Sequence, residues 1–253
     1  MSEENEREEK PSLRVKTRVP MKEEKKRGQD PGFVREAFAK IADRYVLTNH
    51  VLSAGTDILW RRKVGRWVAQ WAPEKILDVA SGTGDLALEL QRRCPEAEVL
   101  ACDFCQEMLV HAAERGVART QVVDAMDMPF ADASFDVLTV AFGLRNMADW
   151  QQALREMARV VKPGGRVLVL DFSLPRGVLA KPYGFYLNRV LPRVAGLLTG
   201  EGEAYRYLAG SIQDFPSGEA MLALFAEAGL EKAECRPLSG GIASVYIGQV
   251  RES

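Results

Sequence analysis

The chain has 253 residues, 47% of them hydrophobic, and a formal net charge of −1. That length supports one large α/β domain with a full core, and the near-neutral balance argues against a dedicated nucleic-acid binder, which carries a basic excess. No apolar run reaches the ~18 residues of a bilayer span, and the acidic start Met1-Ser-Glu-Glu-Asn-Glu-Arg is unlike a signal peptide. Four cysteines make no disulfide framework, so a cytoplasmic protein is expected.

Residues 1–30 are dominated by Glu, Lys and Arg, with few large apolar side chains and no sustained period. Such a segment cannot bury enough surface to offset its ordering entropy, and a disordered tail is predicted. Residues 31–253 read as a single domain. Within it, Phe33-Val34, Ala37-Phe38 and Ile41-Ala42 have helical spacing, and a second helix runs from Asp57 towards the first strand; together 31–72 form a helical cap. Trp67 and Trp71 lie four apart on one helix face and are expected in the core.

From Lys75 the pattern alternates strand and helix, as in a parallel sheet covered on both faces. Strands are predicted at Ile76–Ala80, Glu98–Asp103, Thr120–Asp124, Phe135–Phe142 and Arg166–Phe172, with Lys162-Pro-Gly-Gly165 as a turn before the last of these. Residues 176–215 form an apolar, aromatic and basic insertion expected to be helical. Ser217–Ala228 is a helix stopped by Gly229. Two closing strands joined by Ser239-Gly-Gly241 must be antiparallel, because the connection is too short for a crossover.

The chemistry centres on Lys75-Ile-Leu-Asp-Val-Ala-Ser-Gly-Thr-Gly-Asp85. A strand, a tight glycine turn at Gly82 and Gly84, and a helix N-terminus make a nucleotide-type site. Gly82-x-Gly84-x-x-Ala87 also fits a dinucleotide fingerprint, so the loop alone does not decide. Asp78 does discriminate: a carboxylate four residues before Gly82 suits the ammonium and sulfonium of S-adenosylmethionine (SAM) and would repel a pyrophosphate. Ser81 and Thr83 complete the loop. Asp103 ends the second strand, 19 residues after Gly84, where an acid accepts from ribose hydroxyls. The corner Asp124-Ala125-Met126 is expected to face adenine, with Phe104 and Met126 as apolar walls, while Met108 and His111 read as structural. Cys102-x-x-Cys105 reads as buried hydrophobe, not as a redox or metal pair. No metal-ligand spacing stands out, and SAM chemistry needs none. His50 falls in the covering segment and is either a polar spectator or a site residue.

Several longer motifs occur in order over about residues 33–250: Tyr45-Val-Leu-Thr-Asn-His-Val-Leu-Ser53 with Trp60-Arg61, Ser81-Gly-Thr-Gly-Asp-Leu86, Ala141-Phe-Gly-Leu-Arg-Asn146, Arg159-Val-Val-Lys-Pro-Gly-Gly-Arg-Val-Leu-Val-Leu-Asp-Phe-Ser173, Tyr205-Arg-Tyr-Leu208 and Leu238-Ser-Gly-Gly-Ile242. In these the chain resembles the ubiquinone/menaquinone biosynthesis C-methyltransferases. The resemblance implies a Rossmann-like class I methyltransferase: a mostly parallel seven-stranded sheet with a C-terminal antiparallel hairpin and helices on both faces. It also implies SAM as cofactor and a lipophilic hydroquinone as acceptor. By the same resemblance Arg145 stabilises the developing phenolate, Tyr45 and Asn146 hold the hydroxyl or a water, Ala141 touches SAM, and Asn49, Phe142, Arg206 and Tyr207 contact the acceptor. Val46, Thr48, Asp57, Ala141 and Asp171 stand where the family usually has Asp, Met, His, Ser and Glu. The insertion is then a tunnel for the isoprenoid tail with transient peripheral membrane contact, or else a lid or homodimer interface. A methyltransferase on another small aromatic acceptor, an NAD-dependent oxidoreductase and a non-catalytic SAM-binding partner remain as rival readings.

Overall fold

The computed structural model describes residues 55–175, 177–190 and 210–252. The charged tail, the first part of the cap, Tyr45, Asn49, His50, Arg206 and Tyr207 lie outside the described residues.

Helix α1 (Thr56–Gln70) buries Trp60, Val64 and Val68 along one stripe. It crosses the helix after the glycine loop, α2 (Asp85–Arg93), at close range: a Cβ on Gly65 would sit 2.8 Å from Glu89 Cγ. The alternating run follows as β1 (Lys75–Val79), β2 (Glu98–Asp103), α3 (Gln106–Glu114), β3 (Thr120–Val122), β4 (Phe135–Ala141), α4 (Trp150–Val160) and β5 (Val161–Phe172). After the short α5 (Ala180–Phe185) come α6 (Glu219–Glu227), β6 (Leu230–Leu238) and β7 (Ala243–Val250).

The seven strands are ordered β3-β2-β1-β4-β5-β7-β6. The first five are parallel, and β7 runs antiparallel between β5 and β6, as the short Ser239–Gly241 connection requires. Apolar side chains leave both faces of the sheet. Ile76, Leu168 and Leu170 pack with Trp60, Leu86 and Leu90 on one side. Leu77, Val79, Leu138 and Val169 pack with Leu154, Met157 and Phe225 on the other. Burial on both faces explains why the central strands read as unbroken apolar runs.

Three expectations need correction. Lys162–Gly165 is not a turn ahead of the fifth strand but part of it. The β4–β5 register jumps from Phe135↔Val161 to Val137↔Arg166, so the extra residues form a bulge, with Gly164 at φ 78°. The third strand stops at Val122, exposed along its length at the sheet edge. Trp67 and Trp71 are half-buried beneath cations, with the Arg236 guanidinium 4.7 Å from the Trp67 ring and that of Arg166 4.8 Å from Trp71; Trp60 is the tryptophan that enters the core. Outside these corrections, the described part of the insertion is helical throughout, running through a 3-10 turn (Gly177–Leu179), α5 and a π turn (Tyr186–Val190), with Val178 92% exposed.

Candidate functional site

Strand order reverses between β1 and β4, since the chain winds outward from β1 to β3 on one side and from β4 to β5 on the other. Crevices open at such a switch point, beyond the carboxyl ends of the strands. Here the crevice has two lobes, which share Ala80 and Gly82.

The first lobe is lined by Asp103, Phe104, Met108, Val123, Asp124, Ala125 and Met126, and across from them by Gly143, Asn146, Met147 and Ala148. Phe104 and Met126 are the expected apolar walls. Met108 is buried, as expected, and also forms part of the wall. Asp103 ends β2 and accepts from Gly82 N at 2.9 Å and from Cys105 N at 3.0 Å. Burial pushes its carboxyl up, and these N–H groups pull it back. Asp124 Oδ1 accepts from Met126 N at 2.8 Å, closing a local turn whose residues Ala125 and Met126 line the cavity.

The second lobe is lined by Arg61, Asp78, Ser81, Thr83, Asp85, Leu86 and Ala141. Asp78 is almost fully buried and accepts from Ser81 Oγ and Thr139 Oγ1, each at 2.6 Å. Burial raises its carboxyl to about 6, against the lowering pull of both hydroxyls and of Arg61; Asp103 adds to the rise. The glycines divide their work. Gly82, at φ 57°, leaves open space where a Cβ would be, as close approach of a ligand needs. A Cβ on Gly84 would fall 2.5 Å from Val117 Cγ2, so that residue serves helix packing. Thr83 is also turned to structure: its carbonyl and hydroxyl accept from Arg115 Nη1 at 2.8 and 3.0 Å.

The strand ends flanking the crevice carry backbone strain. Ala80 and Phe142 both have positive φ, 51° and 61°, conformations costing about 1–3 kcal/mol each and persisting only where surroundings enforce them. Gly143 lets the two ends close on each other, since a Cβ there would lie 2.4 Å from Ala80 Cβ.

Arg145 and Phe142 differ from expectation. The Arg145 side chain does not line either lobe. It is 3% exposed, donates from Nη1 to Phe142 O and, at 2.8 Å, to Asp171 Oδ1. The buried carboxylate of β5 draws the guanidinium inward. Phe142 is likewise no wall of the crevice: it packs under it against Phe172, ring centroids 4.7 Å apart, and Trp60. Asn146 does line the first lobe. Sequence reading missed Gly143, Met147 and Arg61 as parts of the crevice, and Thr139 as the buried partner of Asp78. A glycine directly after a strand end was a usable signal for Gly143; nothing local marked Thr139.

Cys102 is inert in this setting, because burial pushes its thiol up to about 12, with Asp78 and Asp103 adding to the rise. His111 sits on a partly exposed helix face, 3.3 Å from Glu114. Among the described residues no group of His, Cys, Asp and Glu could hold a metal ion, and no helix is long and apolar enough to cross a membrane.

Relatives and solved structures are similar to this chain in sequence and in fold. A demethylmenaquinone methyltransferase from Thermus thermophilus is 45% identical over 217 residues, 83% of this chain and 98% of the relative. A demethylmenaquinone methyltransferase from Deinococcus radiodurans is 39% identical, covering 94% of this chain and all of the relative. A ubiquinone/menaquinone biosynthesis C-methyltransferase, UbiE, from Bdellovibrio bacteriovorus is 42% identical over 88% of this chain and 97% of its own length. The fold superposes on a SAM-dependent methyltransferase from Thermotoga maritima with a TM-score of 0.60 at 19% identity, over 85% of this chain and 98% of that one. Residues 20–250 match the profile of one family over almost the whole chain, and the protein belongs to the ubiE/COQ5 methyltransferase family.

Proposed function

We propose that the protein transfers the methyl group of SAM to a ring carbon of a reduced, polyprenylated quinone precursor of the demethylmenaquinol type. The observation that carries this reading is the two-lobed crevice at the switch point, acidic where SAM is cationic and apolar where it is aromatic, in a chain of this family. SAM supplies an electrophilic methyl group on a sulfonium when bound. The residues present fit it: Asp78 for the positive methionyl end, Gly82 for close backbone approach, Asp103 for ribose hydroxyls, and Phe104, Ala125 and Met126 around adenine, with Asp124 turning the corner. Ser81 and Thr139 hold Asp78, while Thr83 and Gly84 shape the loop.

On the acceptor side, loss of a ring-hydroxyl proton makes the neighbouring carbon nucleophilic, and that carbon must meet the methyl in line. Asn146 faces the crevice and orients the hydroxyl, with Tyr45 assigned beside it from the resemblance. Arg145 acts from below: it grips the Phe142 carbonyl and so fixes the strained 142–147 turn that carries Asn146. Such positioning is worth much of a methyl-transfer barrier. Asn49, Arg206 and Tyr207 are assigned to the acceptor by resemblance. Exposed Val178 and Phe185 are assigned to the tail or the membrane surface in which it lies; a homodimer burying them is the competing assignment, and sedimentation of the free protein separates the two.

Incubation with labelled SAM and demethylmenaquinol should give methylated quinol and S-adenosylhomocysteine. A protein that binds SAM but labels neither this acceptor nor its benzoquinol counterpart would sink the proposal. Asp103→Ala should weaken SAM binding about 10- to 100-fold in calorimetry, the scale of charge-assisted bonds worth about 1.5–3 kcal/mol. An unaltered dissociation constant would remove Asp103 from the cofactor site.

A further inference from the structure

We infer that Arg61 recognises the α-carboxylate of SAM, so that the cap helix α1 contributes directly to the cofactor site. The inference rests on the placement of the methionyl end in the second lobe. That end carries an ammonium and a carboxylate on one carbon, beside a sulfonium. Asp78 answers the positive groups, but Asp78 and Asp85 would both repel the carboxylate. Among the described residues, Arg61 is the one basic side chain lining either lobe.

Its surroundings favour such a role. Arg61 is 7% exposed, and a surface lysine or arginine serving solubility alone would not be held so deep. Nη1 donates to the fully buried Asp57 one helical turn earlier. The Phe142 ring lies 5.1 Å beneath the guanidinium carbon. Asp85 Oδ2 is 3.8 Å from Nη2, too long for a hydrogen bond, and Asp85 is itself engaged by Arg115 at 2.6 Å. One edge of the fork is therefore anchored while the residue still borders the cavity. A planar guanidinium fixed in this way matches a carboxylate with two parallel N–H groups. The buried partner Asp57 prevents the cation from carrying an uncompensated charge when no ligand is bound.

Calorimetric titration of the full chain with SAM and with decarboxylated SAM, which differs only in lacking the carboxylate, tests the assignment. The parent should bind SAM about 10- to 100-fold more tightly than the decarboxylated form. In Arg61→Gln that ratio should collapse to near one, mainly through weaker SAM binding, and Arg61→Lys should restore only part of it. A parent without the preference would overturn the assignment whatever the variants do, which keeps the test decisive if Arg61→Gln folds poorly. Retention of the preference in Arg61→Gln would overturn it too, leaving the carboxylate to the backbone N–H groups of the glycine loop. The titration uses no acceptor. Failure of quinol methylation would therefore leave this result standing, and failure of carboxylate discrimination would leave the acceptor reading untouched.

Discussion

Arg145→Ala should lose roughly 3–5 kcal/mol of stability, the cost of breaking a buried ion pair by removing one partner. It should also lose most methyl transfer. Its carboxylate partner, Asp171, is fully buried, and burial already pushes that carboxyl up while Arg145 pulls it down. Without the guanidinium, nothing of opposite charge offsets the upward push of burial, and Asp171 is left as an uncompensated buried carboxyl. The Phe142 carbonyl loses a donor in the same step, so the left-handed Phe142 and the turn behind it relax. Stability and chemistry are separable with the double variant Arg145→Met, Asp171→Leu. Replacing a buried pair by apolar groups of similar volume is often neutral or stabilising, so chemical denaturation should return towards the parent value. Turnover should not return, because only the long 3.4 Å contact from Asn146 Nδ2 then holds the Phe142 carbonyl. A loss of about 100-fold or more in single-turnover methylation at saturating SAM is expected, the scale seen when a preorganised donor is removed. Parental turnover in the double variant would reduce Arg145 to a stability element.

These two residues also show where sequence reading stops. The glycine loop, the acids ending strands, and the alternation of strand and helix are local patterns, and β1, α2 and β2 appear where periodicity and turn chemistry place them. The same patterns supplied Asp78, Asp103 and the Asp124–Met126 corner. The direction of the Arg145 fork is not local. It depends on Asp171, 26 residues later, which β4–β5 pairing brings alongside. Thr139 is likewise invisible in isolation: it reaches Asp78 only because the β1–β4 register sets the two residues opposite each other. The bulge at Lys162–Gly165 has the same origin, since Pro and Gly announce a break but the partner strand decides whether it ends the ladder or kinks it. Phe142 was legible as a motif residue but not as core, because nothing in its neighbours reveals the left-handed backbone that swings its ring beneath the crevice.

SAM affinity should fall as pH drops through about 6, where the buried Asp78 carboxyl gains its proton in the ligand-free protein. Only the ionised form complements the methionyl ammonium, which stays charged across this range. Between pH 7 and pH 5 the ionised fraction falls about tenfold, and the apparent association constant should fall with it. The stability of the ligand-free protein should move the other way. A carboxyl raised from 3.8 to about 6 by folding makes no difference below 3.8, where both states are protonated. As pH rises from there to about 6, the unfolded chain ionises first, and the folded state loses stability relative to it. The penalty levels off at roughly 3 kcal/mol, from about two pKa units at ~1.36 kcal/mol each. Asp78→Asn removes the titration while keeping the shape, because the Ser81 and Thr139 hydroxyls can each rotate to donate to the amide oxygen or accept from its NH2. At neutral pH that variant should be more stable than the parent when ligand-free, and SAM should bind at least about 100-fold more weakly, the loss of a charged partner. Denaturant titrations of both proteins at pH 4 and pH 7 provide the check. A stability difference unchanged between the two pH values, together with SAM binding flat from pH 7 to pH 5, would mean that Asp78 is ionised throughout. The burial of a carboxyl at the floor of the site would then carry no cost in the folded protein, contrary to what its dry surroundings require.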